Sequence, residues 1–93
     1  VLFSALTPDQ INQYQTLNYF DVNSPSRQDR LYRIRCGSTY NVLLVESGTP
    51  TMRLCAIPCL GMPMDYVLLS QLLMIRTNEL LFLQIANRDS VER

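Results

Sequence analysis

The stretch LYRIRCGSTYNVLLVESGTPTMRLCAI, residues 31–57, decides the fold class. Its apolar residues recur at every second position, the period of a strand whose side chains point alternately to two faces. In LYRIRC, Tyr32, Ile34 and Cys36 fall on one face, with Arg33 and Arg35 on the other. GST turns the chain into YNVLLVE, and SGTP turns it again into TMRLCAI. The reading is a three-stranded antiparallel meander. Its middle strand is apolar on both faces, Val42 and Leu44 on one and Leu43 and Val45 on the other, as suits a central strand.

Helical signals lie on either side. In TPDQ, residues 7–10, Thr7 can cap a helix, Pro8 suits its first position and Gln10 can reach back to complete a capping box. Ile11, Tyr14 and Leu17 then share a face, so a short helix to about Leu17 is expected. NYFDVNSPSRQDR mixes Asn, Asp, Ser and Pro around Tyr19, Phe20 and Val22, and reads as a loop with an aromatic anchor.

Beyond the meander, CAIPCLGMPMD, residues 55–65, has the prolines and glycine of a connection but no charge before Asp65. Connections ordinarily lie in water, so this one is expected to press on something apolar. DYVLLSQLLMIR, residues 65–76, should be helical, with Pro63 and Asp65 suited to its first turn. TNELLFLQIANR starts again at Thr77, a second cap, giving two helices or one kinked helix. Leu68, Leu72 and Ile75 make a stripe, while Val67, Leu69, Leu73 and Met74 spread outside it. A helix so apolar on all sides exceeds what a chain of this length can wrap. The expected architecture is α+β: an N-terminal helix, a three-stranded antiparallel meander and two C-terminal helices packed on one sheet face. Ile34, Val42, Leu44, Leu54, Leu68, Leu72 and Ile75 are its expected core.

Ninety-three residues read as a single small domain, and a first residue Val1 in place of methionine suits a processed product, a trimmed chain or a segment of something longer. The chain is 47% hydrophobic and 17% charged, below the ~25% charged of ordinary soluble domains. Eight acids balance eight bases, so no global field draws the chain to nucleic acid or an anionic membrane. No apolar run approaches the length of a membrane span. Three cysteines, an odd number, argue against a secreted disulfide framework and for the cytoplasm or another reducing compartment.

Candidate chemistry is sparse. All eight bases are arginines, and histidine is absent. A serine or cysteine nucleophile therefore has neither histidine nor lysine to activate it. Asp65 and Glu79 sit where helix N-termini want a negative charge, and the three glycines form no phosphate loop. Cys36, Cys55 and Cys59 fall one short of the four ligands of structural zinc. No enzyme activity, catalytic residue, metal or cofactor is read from these patterns.

Two binding readings remain. Leu60, Met62 and Met64 of the uncharged stretch, with Leu69 and Leu73 of the following helix, would form a contact surface for a protein partner or a second copy of the chain. The expected function is then association, as a subunit of a homo-oligomer or larger complex. Alternatively Arg27, Arg30, Arg33 and Arg35, with Arg53 on the same sheet face, would contact the phosphates of a nucleic acid through their planar forks.

Overall fold

The computed structural model of the chain describes residues 2–36, 40–55 and 63–90. In chain order these form helices α1 (Leu2–Ala5) and α2 (Pro8–Leu17), strands β1 (Tyr19–Asn23), β2 (Arg30–Arg35), β3 (Val42–Glu46) and β4 (Thr49–Cys55), helices α3 (Met64–Thr77) and α4 (Glu79–Ile85), and strand β5 (Asn87–Ser90). The fold is α+β, with one antiparallel sheet of order β1-β2-β3-β4-β5. The expected meander is its centre, β2 to β4. The expectation of three strands is corrected to five: β1 lies in the segment read as a loop, and β5 in the tail read as the end of a helix.

Both misreadings have a physical cause. Asp and Asn, poor strand formers, punctuate β1, yet Tyr19↔Arg35 through Asn23↔Leu31 pair it in register with β2. The all-polar NRDS of β5 has no alternation, and it is held by pairing Met52↔Ser90 through Cys55↔Asn87. Between β3 and β4 the turn is Ser47-Gly48, both with positive φ (52° and 79°), so Thr49 and Pro50 belong to β4. Two left-handed residues give a turn whose twist matches that of the flanking strands. Ser47 is held there by its N–H donating to the Asp29 carbonyl at 2.6 Å and its Oγ to Asp29 Oδ2 at 3.1 Å. The register slips between Leu44 and Val45, where Thr51 is the extra residue of a bulge in β4; its hydroxyl donates to the Leu44 carbonyl at 3.3 Å. GST, residues 37–39, lies outside the described residues.

The capping box forms as read: Gln10 N–H donates to Thr7 Oγ1 at 3.2 Å and Thr7 N–H to Gln10 Oε1 at 2.9 Å. α2 ends at Asn18 in the left-handed conformation. The helix then runs along β1 and satisfies its outward edge. Gln10 Nε2 donates to the Asp21 carbonyl at 2.9 Å, and the Asp21 N–H donates to Gln13 Oε1 at 2.9 Å. An edge strand whose free backbone groups are taken by a helix is closed to further pairing.

Phe20 and Val22 of β1, Tyr32 and Ile34 of β2, Val42 and Leu44 of β3 and Leu54 of β4 form one sheet face. They are buried with Leu2 and Leu6, with Leu68, Leu72 and Ile75 of α3, and with Phe82 of α4. Every expected core residue is there. Edge-to-face rings extend the packing from α1 through α2 to β1, Phe3 to Tyr14 at 6.1 Å and Tyr14 to Phe20 at 5.8 Å between centroids. One polar pair lies inside. Asn41 Nδ2 donates to Gln71 Oε1 at 2.8 Å and Gln71 Nε2 to Asn41 Oδ1 at 3.0 Å, tying the start of β3 to the middle of α3.

The C-terminal segment is two helices, α3 and α4, and the cap between them is corrected from Thr77 to Asn78. The Asn78 side chain accepts from Leu81 N–H at 3.2 Å, whereas the Thr77 hydroxyl donates back to the Leu73 carbonyl at 2.7 Å. Among the described residues no helix is long and apolar enough to cross a membrane.

Leu72 is fully buried between helix and sheet. Leu72→Ala should cost ~2–5 kcal/mol by lost transfer and residual cavity, read as a lowered urea midpoint. An unchanged midpoint would remove Leu72 from the core.

Candidate functional site

The candidate site is the outward side of α3 and α4, and it is created by what the two helices bury. α3 turns Val67, Leu68, Gln71, Leu72 and Ile75 inward. The 3.6-residue period then leaves Tyr66 and Leu73 on the opposite side, 46% and 44% exposed. In α4 the buried residues are Glu79 and Phe82. Leu80, Leu81 and Ile85 consequently face outward, with Leu80 68% exposed.

The orientation of α4 rests on a carboxylate. Glu79 occupies its first position, where the helix dipole favours a negative charge, and the side chain is buried and drawn toward the sheet. Ser24 Oγ donates to Glu79 Oε2 at 2.7 Å and Ser26 Oγ to Oε1 at 2.6 Å. The Tyr32 hydroxyl donates to Oε2, and so does Arg30 Nη1 at 3.3 Å. Burial by itself would raise the Glu79 pKa; hydrogen bonds from Ser26, Tyr32, Ser24 and Arg30 outweigh it and hold the carboxyl down at about 2. Tyr32 moves the other way, its pKa pushed up first by burial and then by the hydrogen bond and charge of Glu79. Arg30 is shared: Nη2 and Nε donate to Glu46 Oε2 at 2.9 and 3.1 Å. Ser24 Oγ also accepts from the N–H groups of Ser26 and Arg27, both at 3.2 Å, which folds the β1–β2 loop onto the helix start. Beside the cluster an open cleft of about 430 Å³ is lined by Pro25, Ser26, Arg30, Arg76, Thr77, Asn78, Glu79, Leu80 and Leu83.

Of the expected protein-contact residues, Met64 and Leu73 are exposed and Leu69 is half-buried against the core. Leu60 and Met62 lie outside the described residues. Tyr66, Leu80, Leu81 and Ile85 were not singled out by sequence reasoning; Tyr66 stands opposite the buried stripe of α3, and the three α4 residues could be found only once the buried pair Glu79 and Phe82 had fixed which side of α4 faces out.

The arginines lie elsewhere, and most are occupied. Asp21, Arg33, Leu43, Arg53 and Asp89 form one row across the outer sheet face. Arg33 meets Asp21 as a fork, Nε to Oδ1 at 2.9 Å and Nη2 to Oδ2 at 3.2 Å, and stacks on the Tyr19 ring at 4.2 Å. Arg53 meets Asp89 at 2.6 Å, and Arg27 meets Asp29 at 3.3 Å. Arg53 thus does share a face with Arg33 and Arg35, while Arg30 belongs to the Glu79 cluster. Arg35 is exposed and forms no ion pair among the described residues. Cys36 is exposed and Cys55 buried, both as free thiols, and Cys59 lies outside the described residues. Among the described residues no three His, Cys, Asp or Glu side chains group as metal ligands.

The depressed Glu79 pKa makes a signed prediction. An ordinary glutamate titrates at ~4.3. Between that value and about 2 the unfolded chain therefore binds the proton that the folded chain refuses. The contribution, on the order of 3 kcal/mol, is complete above the ordinary value and is lost as pH falls through about 2. Glu79→Gln should unfold at lower urea than the parent at neutral pH, with the gap closing across that acid window. Parallel pH profiles of the two midpoints would refute the assignment.

No family model matches this chain, nor does any curated protein or solved structure.

Proposed function

We propose that this chain is a non-enzymatic association module, a subunit of a homo-oligomer or larger complex, and that the outward side of α3 and α4 is its contact surface. The observation that carries the reading is the exposure of large apolar side chains there: Tyr66, Leu73, Leu80, Leu81 and Ile85 all stand out from the helices. Isolated exposed leucines are ordinary, whereas a cluster on adjacent elements marks a surface that is covered in use. The low charged fraction of the chain supports it, since interface cores are depleted in charge and enriched in aromatics, and Tyr66 stands among these side chains. Met64, in the first turn of α3, is exposed as well.

The arginine reading is the weaker one for an electrostatic reason. A guanidinium forked onto a carboxylate of its own chain has to give up that bond before it can take a phosphate. Arg27 and Arg33 are so engaged, Arg30 donates twice to Glu46 Oε2, and Arg53 Nη2 donates to Asp89 Oδ2.

Leu80→Glu and Leu73→Glu place a charge where only a partner would desolvate it. Both variants should keep the circular dichroism of the parent, and both should lower the mass of the assembly measured by sedimentation. Unfolded variants, or assemblies of unchanged mass, would refute this surface. Separately, the parent chain should fail to retard DNA or RNA on a gel at low salt. Retardation that falls steeply as salt rises would favour phosphate binding instead.

A further inference from the structure

Asp65 and Arg76 stand at opposite ends of α3, in its first and last turns. Both are exposed, and neither takes part in an ion pair among the described residues. Arg76 donates only to neutral acceptors, the Ala5 carbonyl at 2.9 Å and Gln10 Oε1 at 3.4 Å. Their separation is about three helical turns, so the two side chains leave the helix on the same flank. Between them, the outward stripe carries Tyr66, Ser70, Leu73 and Thr77 at three- and four-residue spacing. Ser70, the small residue, is at mid-helix.

This arrangement is self-complementary. In a two-fold interface, if residue i meets residue j of the second copy, then j meets i. A two-fold axis crossing α3 beside Ser70, perpendicular to the helix, lays the helices of two copies antiparallel and keeps each flank on its own side. Asp65 then stands level with the partner's Arg76, and Arg76 with the partner's Asp65. Tyr66 falls level with the gap between the partner's Leu73 and the partner's Thr77, while the small Ser70 lets the two backbones approach at the crossing. A parallel two-fold arrangement would instead put the two Asp65 residues level on opposite flanks, with no Arg76 beside either. Antiparallel helix dipoles favour the same choice. Leu80, which lines the same cleft as Arg76 and Thr77, carries the apolar surface past the end of the helix.

We infer that the occupant of the α3 surface is a second copy of this chain, bound antiparallel about a two-fold axis at Ser70 and closed by two Asp65–Arg76 ion pairs. The inference rests on the association reading and specifies its partner. Charge reversal tests it. Asp65→Arg and Arg76→Asp each place like charges opposite one another at both ends of the interface, and each alone should weaken dimerisation by ~tenfold or more. Mixed in equal amounts, the two variants regain opposite charges at both ends, and a heterodimer should form at concentrations where each alone is a monomer. Sedimentation from low micromolar to near-millimolar chain reads both. Arg76 also holds α1 through Ala5, so Ser70→Arg, which leaves that contact alone, serves as the second variant; it sets two guanidinium groups face to face at the axis and should give folded monomers.

A wild-type chain that stays monomeric at every concentration overturns the inference. So does a Ser70→Arg dimer of unchanged mass, or charge-reversed variants that dimerise normally alone or fail to associate when mixed. If Leu73→Glu still dissociates the assembly while the mixture fails, the two-fold register is wrong and the association surface stands.

Discussion

The Glu79 carboxylate is the interaction on which the layout of the C-terminal half depends. A buried anion is costly unless its lone pairs are taken, and here they are taken by two serines from one loop, a tyrosine and an arginine from one strand. Those donors come from the opposite end of the sequence, so α4 is fixed against β2 and the β1–β2 loop by directional bonds. Apolar packing alone would let a helix of this length rotate about its axis. With Glu79 drawn inward and Phe82 stacked edge-to-face on Tyr32 at 5.9 Å, only one rotation remains. That rotation exposes Leu80, Leu81 and Ile85.

The two faces of the sheet solve different problems. The covered face is apolar, whereas on the outer face the row from Asp21 to Asp89 sets two acids beside two arginines and is neutral. With both partners of the Arg53–Asp89 pair more than 40% exposed, such a pair contributes ~0–1 kcal/mol. The arginines therefore serve less as a source of stability than as cover, Arg33 and Arg53 flanking half-buried Leu43 across the sheet. Read from sequence, the same residues look like a cationic patch, because Asp21 and Asp89 are distant in the chain and only the register brings them alongside.

Sequence was most informative where the signal is local. The Thr7 to Gln10 box, the alternation through β2, β3 and β4 and the Leu68, Leu72 and Ile75 stripe each arise from neighbours within a few positions, and each is realised. β1 and β5 are different, because their strands exist through their partners. Gln10 and Gln13 of α2 take the outer edge of β1, and Arg53 meets Asp89 across β5, neither of which a short window can contain. Glu79 does stand at a helix start as read, but its further partners were not legible for a related reason: a glutamate there has a sufficient local explanation in the dipole, so nothing in its neighbourhood points to the four donors on β2 and its loop. With Glu79 read only as a dipole partner, the outward leucines of α4 could not be told from inward ones.

The Asn41 and Gln71 amides have a consequence for how uniquely the chain folds. As a source of stability a closed pair of neutral hydrogen bonds is modest, since water would have satisfied the same groups. Its effect falls on the alternatives. A slip of β3 by one residue turns Asn41 to the other face and breaks both of its bonds to the Gln71 amide, and a rotation of α3 breaks the same two bonds while Asn41 Nδ2 stays on the Arg35 carbonyl at 3.1 Å. The pair therefore acts as a key that penalises wrong assemblies more than it rewards the right one. Two apolar residues of similar volume in their place would keep the core filled while removing the penalty, so the chain could become as stable or more so and at the same time less committed to a single register. In a sheet whose central strand is apolar on both faces, and so carries little preference of its own for which side faces in, that commitment is supplied by two amides.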